Sequence, residues 1–181
     1  ATAGYHHYEI SNWSLPGEES RHNIMYWKNE PFIGVGPGAH SFLGHARFSV
    51  ESNPRDYIKR LDELDRCESS AIDSVQGRLT SIDEVRSIAP ITGFDPYTRD
   101  TERRETLILG LRLNTGVSET EYRTRFGSTP TDLFRPELEE AIGSGLLERH
   151  GNDRLVLTTR GRLLANEVFV LLLDSPDRGN R

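Results

Sequence analysis

Two short stretches carry most of the side chains in this chain that could do chemistry. Residues 20–27 read SRHNIMYW, and residues 34–42 read GVGPGAHSF. In the first, His22 offers a neutral imidazole, the commonest protein ligand for a transition metal and a frequent axial ligand of haem iron. Met25, Tyr26 and Trp27 beside it present the flat, polarizable, apolar surface that a porphyrin face wants. The same residues also describe a capped helical turn whose aromatics pack into a core while His22 bonds to backbone. On the residues alone, that packing reading is the stronger.

The second stretch fits the spacing G-x-G-x-x-A through Gly34, Gly36 and Ala39, which suggests a dinucleotide-binding turn. Pro37 argues against it, because it removes a backbone N–H where a pyrophosphate needs donors. No helix follows either, since Gly44 interrupts SFLGHAR. What remains is a glycine-rich segment at Gly34, Gly36, Gly38, Ala39 and His40 where backbone can approach a ligand closely. His6, His7 and Glu9 do not make a zinc site, because adjacent histidines on a strand point to opposite faces. Cys67 is the single cysteine, so no internal disulfide forms and a reducing, cytoplasmic location is expected.

The elements that must position these residues follow from periodicity and punctuation. YHHYEIS is β-prone, NWSLPGEES a loop, HNIMYW one or two helical turns, and PFIGVG a short buried strand ending in a tight PGAHS loop. Asn53-Pro54-Arg55-Asp56 starts a helix expected to run to about Leu64. Residues 67–99 are weakly patterned and read as a connector between a first region, 1–66, and a last one, 100–181. In the last region DTERRETLILGLRLNTG is helical, and Ser118 opens a capping box ended by Gly127. PELEEAIGSGLLER holds a further helix, ended around Gly145, RLVLT is a strand, and Thr159 caps a final helix. That order is close to a winged-helix plan, so the expected class is α+β.

Composition narrows the possible partners. The 181 residues carry a net charge of −6, and residues 102–181 hold 12 basic against 13 acidic residues. Neither part has the basic excess that nucleic-acid binding shows, so no nucleic-acid partner is expected although Arg123, Arg125, Arg160 and Arg162 are available to phosphates. The longest apolar run, VFVLLL, is far too short to span a bilayer, and stable membrane insertion is not expected.

The paired motifs YEISNWSLPGEESRHNIMYW and FIGVGPGAHSF resemble the second half of the oxygen-independent coproporphyrinogen III oxidase-like radical S-adenosylmethionine proteins. Residues 102–173, with ERRETLILGLRLNTG and GLLERHGNDRLVLTTRGRLLANEVF, look like that family's C-terminal domain. The pattern H-N-x-x-Y-W is similar to the subgroup described as haem chaperones, which bind haem and pass it to acceptor proteins. The resemblance implies that His22 is the haem ligand, within a haem-binding set of His22, Asn23, Tyr26 and Trp27. It implies a four-iron four-sulfur cluster and S-adenosylmethionine as cofactors of such proteins. It also implies that residues 1–66 are the tail of a partial (β/α) barrel, with PGAHS at the barrel mouth.

This sequence departs from the family in three ways. The cluster motif C-x-x-x-C-x-x-C is absent, the glycine-rich segment that helps hold S-adenosylmethionine is absent, and Ser20 stands where many relatives have cysteine. The start, ATAGYHHYEIS, reads as the middle of a longer protein. The expectation is therefore a chain inactive in radical chemistry by itself, whose open barrel edge is covered by a missing N-terminal half or by a homo-oligomer partner. The alternative readings are a coproporphyrinogen III oxidase, which oxidatively decarboxylates two propionates to give protoporphyrinogen IX, and a winged-helix interaction module.

Overall fold

Turn formers at Gly4, Ser11-Asn12 and Pro16-Gly17 cut the β-prone opening into two short strands. β1 (His6–His7) and β2 (Trp13–Ser14) pair antiparallel, with His6 opposite Ser14 and His7 opposite Trp13. The computed structural model describes residues 3–43, 45–66, 86 and 89–174. The chain divides into two compact units, one of Ala1–Asn29 with Arg103–Arg181 and one of Glu30–Glu102.

In the first unit, α1 (Arg21–Trp27) is the expected helical turn. Ser20 sits in extended backbone and its hydroxyl accepts the Asn23 N–H at 3.3 Å, which satisfies one of the helix's free donors. Just before it, Tyr8–Ile10 pairs with Arg112–Asn114. The Ile10 N–H donates to the Arg112 carbonyl (3.0 Å), and the Asn114 N–H donates to the Tyr8 carbonyl (3.0 Å). Glu9 is fully buried there, accepting the Ser11 N–H at 3.1 Å and the Asn12 side-chain amide.

The second unit is an antiparallel sheet in the order β3 (His40–Leu43), β4 (Ala46–Val50), β5 (Ile91–Pro96), with α2 (Pro54–Arg66) in the same unit. Phe48, Val50 and Ile91 form its core. Asn53 caps α2 as expected, its side chain accepting the Arg55 N–H at 3.0 Å. Two expectations are corrected here. PFIGVG is not a buried strand: Phe32 makes a single bridge to Phe42, while Ile33 and Val35 are 66% and 89% exposed. The cause is local, since Gly36 and Gly38 take positive φ and Pro37 has no N–H, so the ladder begins only at His40. The expected connector is also not irregular to its end. Residues 91–96 form β5, because β-branched Ile91 and aromatic Phe94 find partners on β4. Residues 67–85, 87 and 88, including Cys67, lie outside the described residues.

α3 (Arg99–Gly110) starts in the second unit and runs into the first, which continues with β6 (Val117–Ser118), α4 (Glu119–Phe126), α5 (Pro130–Leu133), α6 (Arg135–Gly143), β7 (Leu147–His150), β8 (Arg154–Leu157), α7 (Thr159–Leu163) and α8 (Ala165–Asp174). The strands form an antiparallel sheet ordered β6-β8-β7. Leu107, Leu138, Leu155, Val168 and Leu172 are the centre of its core, each at most 1% exposed. Ser118 and Gly127 cap α4 at its two ends, as the sequence predicts. Two details differ. Leu147–His150, just past the expected helix end, form a strand that the sequence reading does not separate, β7, because Leu146 and Leu147 are drawn into the core. The last helix is capped by Thr158 rather than Thr159 and is broken at Leu164 into α7 and α8. The whole is a mixed helix-and-sheet chain. No helix among the described residues is long and apolar enough to cross a membrane.

Candidate functional site

The helical spacing of α1 sorts its residues into neighbouring pairs. His22 and Tyr26 are four apart and share one face, while Asn23 and Trp27 share the next. His22 is exposed, and its ring meets the Tyr26 ring edge-on at 4.8 Å. Among the described residues no hydrogen bond to backbone holds the imidazole, which differs from the packing reading of this stretch. Asn23 is half-buried and takes part in the cap through its N–H. Trp27 turns inward. The Arg112 guanidinium lies over its ring, 4.6 Å from the centroid, and its Nε1 is buried with no hydrogen-bond partner.

The end of α1 is tied down by a residue far along the chain. Arg125 on α4 donates to the Lys28 carbonyl (3.0 Å) and to the Asn29 carbonyl (2.8 Å). Asn29, in left-handed backbone at φ 51°, donates its side-chain N–H to Thr106 Oγ1 at 3.0 Å. A cation on the last carbonyls of a helix both satisfies them and opposes the helix dipole. α1 is therefore a short helix fixed at both ends, with His22 outward on a held frame. Arg112 gave no signal in the sequence, and Arg125 stood out there only as available to phosphates.

The glycine-rich segment belongs to the other compact unit. Its N–H groups are largely spent on the fold: Gly34 donates to Ser41 Oγ (3.0 Å), Gly38 to the Glu51 carbonyl (2.9 Å), and Ala39 to the Gly36 carbonyl (3.2 Å). Gly36, at φ 103°, has open space where a side chain would stand. His40 is exposed at the first position of β3. The sequence set is thus divided. His22, Asn23, Tyr26 and Trp27 lie on one helix of the first unit, and Gly34, Gly36, Gly38, Ala39 and His40 on one loop of the second.

The remaining histidines are occupied or single. His6 pairs with Glu19 at 2.8 Å, and His7 stacks on Trp13 with centroids 4.5 Å apart. Glu19 sits below the ordinary carboxylate range, chiefly because backbone N–H groups, including that of Gly17, donate to it. His45 Nδ1 lies 2.9 Å from the buried Glu102 carboxylate. No group of three or more metal-ligating side chains is gathered among the described residues.

Comparison with known proteins places this geometry in a lineage. A model of the HemN C-terminal domain matches residues 97–164. The heme chaperone HemW of Mycobacterium tuberculosis (strain ATCC 25618 / H37Rv) is 34% identical over 173 residues, covering 96% of this chain and 36% of that protein. HemW of Bacillus subtilis (strain 168) is 32% identical over 167 residues, covering 92% and 38%. Residues 97–164 belong to the HemN C-terminal domain family, and over more than nine-tenths of its length the chain is similar to the heme chaperones HemW. Among solved structures, coproporphyrinogen III oxidase (HemN) from Escherichia coli, titled a radical SAM enzyme, shares the family fold at a TM-score of 0.62. It has 17% identity and covers 94% of this chain and 37% of that one. The chain spans little more than a third of the length of the curated family members it matches.

Proposed function

We propose that this chain contributes the haem-binding part of a haem chaperone, with His22 as the axial ligand of the cargo iron. The observation that carries the reading is the exposed His22 imidazole, free of backbone hydrogen bonds, on a helix pinned by Ser20 and Arg125. Tyr26 offers a ring edge at 4.8 Å on the same face. Asn23 completes the H-N-x-x-Y-W pattern, and Trp27 serves by packing α1 onto Arg112. The names of relatives at 32–34% identity support a chaperone over the oxidase, whose likeness at 17% identity speaks to fold alone. The partners on this reading are haem and an acceptor protein, in a reducing cytoplasm that suits a chain with one cysteine.

One cysteine cannot ligate a four-iron cluster, so the residues of this chain do not fit the cluster that the radical SAM relatives' names imply. The β6-β8-β7 sheet with its helices supports reading residues 100–181 as winged-helix-like. The barrel-tail reading of residues 1–66 gains no support from strand pairing, which is antiparallel throughout the described residues. Its support is the likeness to the solved enzyme over 94% of the chain. On that reading the loop Gly34–His40 stands at the barrel mouth, with close backbone approach at Gly36.

Haem titrations followed by the Soret band test the ligand role. His22→Ala is expected to weaken haem binding about tenfold or more and to shift the band, with the circular dichroism spectrum unchanged. His40→Ala is expected to leave the band in place. An unchanged affinity and spectrum in His22→Ala would remove the ligand role.

A further inference from the structure

Arg112 carries more than its place in the chain requires. Its guanidinium lies over two aromatic rings, 4.6 Å from the Trp27 centroid and 5.8 Å from that of Phe169. Its Nε is buried without a hydrogen-bond partner, as is Nε1 of the tryptophan it stacks on. Buried donors without acceptors are rare in folded proteins, and an unseen ligand is one of the few things that explains them. No ion pair joins Arg112 to a carboxylate among the described residues. The guanidinium is thus a half-buried cation with its Nε out of solvent, and its fork geometry takes a planar oxyanion through two hydrogen bonds.

The space beside it fits such a ligand. A pocket of about 380 Å³ in the same compact unit is lined by Arg112 and Arg162 with Ile10, Leu164 and Phe169. Arg162 is fixed there by donating to the Leu157 carbonyl (3.2 Å) and to Thr159 Oγ1 (3.2 Å), so its charge adds to the field of Arg112 without moving. Leu163, 84% exposed, is an apolar lip. Glu167 also lines the pocket, but it is exposed and pairs with neither arginine. The volume is at the small end of the range for ligand sites, about 300–1,000 Å³, and suits one edge of a larger molecule. Apolar walls around a half-buried guanidinium suit a carboxylate on an apolar body better than a heavily hydrated phosphate.

We propose that the Arg112–Arg162 pocket binds a carboxylate carried on a flat apolar body. Resting on the haem reading, that ligand is a propionate edge of the tetrapyrrole. Arg112 then takes the acid, with Arg162 adding its charge from a fixed position, while His22 addresses the iron, so that porphyrin side chain and metal are read by different residues.

The test uses the full chain and two matched pairs of probes: 2-naphthylpropionate with its methyl ester, and metal-free protoporphyrin IX with its dimethyl ester. Equilibrium binding is expected to favour each acid over its ester by about tenfold or more, the worth of a charge-assisted hydrogen bond. Inorganic phosphate at the same concentration is expected not to compete. Arg112→Gln is expected to bring acid down to the level of ester, and Arg162→Gln to narrow the gap part-way. If Arg112→Gln fails to fold, wild type and Arg162→Gln decide the matter. Equal binding of acid and ester, no binding of either pair, full competition by phosphate, or full discrimination in folded Arg112→Gln would each overturn the proposal. Porphyrin bound equally as acid and diester leaves the haem reading standing and removes this pocket. The naphthyl acid bound through Arg112 without porphyrin leaves the pocket standing and removes the haem reading.

Discussion

Three donors converge on the Asp153 carboxylate. Ser118 Oγ donates at 2.6 Å, and the Thr120 hydroxyl and N–H donate to the other oxygen. These bonds, the Ser118 hydroxyl's first, hold the carboxyl below the ordinary aspartate range. Ser118 is also the N-cap of α4, accepting the Glu121 N–H at 3.1 Å, so one ionisation is linked to a helix start and to the turn between β7 and β8. The folded value is depressed, so the group's contribution to stability is fully present above the unfolded value of about 4 and is lost as pH falls through the folded one. Melting temperatures between about pH 6 and about pH 2 should therefore fall more steeply in wild type than in Asp153→Asn. Asp132, lowered by the Thr129 hydroxyl and N–H, keeps a residual slope in the variant. Parallel slopes would show that Asp153 is not linked to folding. At this scale the sequence was legible where partners are near: Ser118 as a cap and Asn53 as a cap. It was silent where partners are distant. Arg125 meets Lys28 and Asn29 across 97 and 96 residues, and no local pattern encodes that distance.

Elements were legible where punctuation and burial agree. α1, α2, α3 and α4 run close to where caps and periodicity put them, because each has a start signal and an apolar face pointing the same way. PFIGVG failed because its apolar letters sit between backbone positions that cannot continue a ladder. The strand Leu147–His150 was missed because a short apolar run is equally a helix end or a buried strand, and tertiary packing decides between them. The junction of β7 with α7 shows how tightly that packing is drawn. The Leu146 carbonyl accepts the Thr158 N–H at 3.0 Å, and a Cβ placed on Gly161 would lie 1.8 Å from the same oxygen. The obstacle is backbone, so it cannot rotate away. Gly161→Ala should cost about 1–3 kcal/mol or more in urea unfolding, although alanine is the better helix former. Thr158→Ala at the cap is expected to cost about 1 kcal/mol. A Gly161→Ala protein as stable as wild type would mean that α7 and β7 are not held at this distance.

For the molecule as a whole, charge decides one partner class against another. A winged-helix interaction module was one of the alternative readings, and four arginines of the region were available to phosphates on sequence grounds. The structure assigns those arginines internal work. Arg125 holds the end of α1, and Arg160 donates to the Ser144 carbonyl at 3.3 Å. Arg162 donates to Leu157 and Thr159, and Arg123 stands 3.9 Å from Asp132. Freeing them for phosphate would break bonds that stabilise the fold. Residues 102–181 are also close to neutral, with one more acid than base, so few counterions would be released on binding a duplex. Only weak association is expected, in the range of about 10⁻⁴ M or weaker at physiological salt, with no preference among sequences. Mobility shifts with several duplexes at two salt concentrations measure this directly. A tight complex that weakens steeply as salt rises would show that the arginines leave their internal partners, and would turn the functional reading from haem toward nucleic acid.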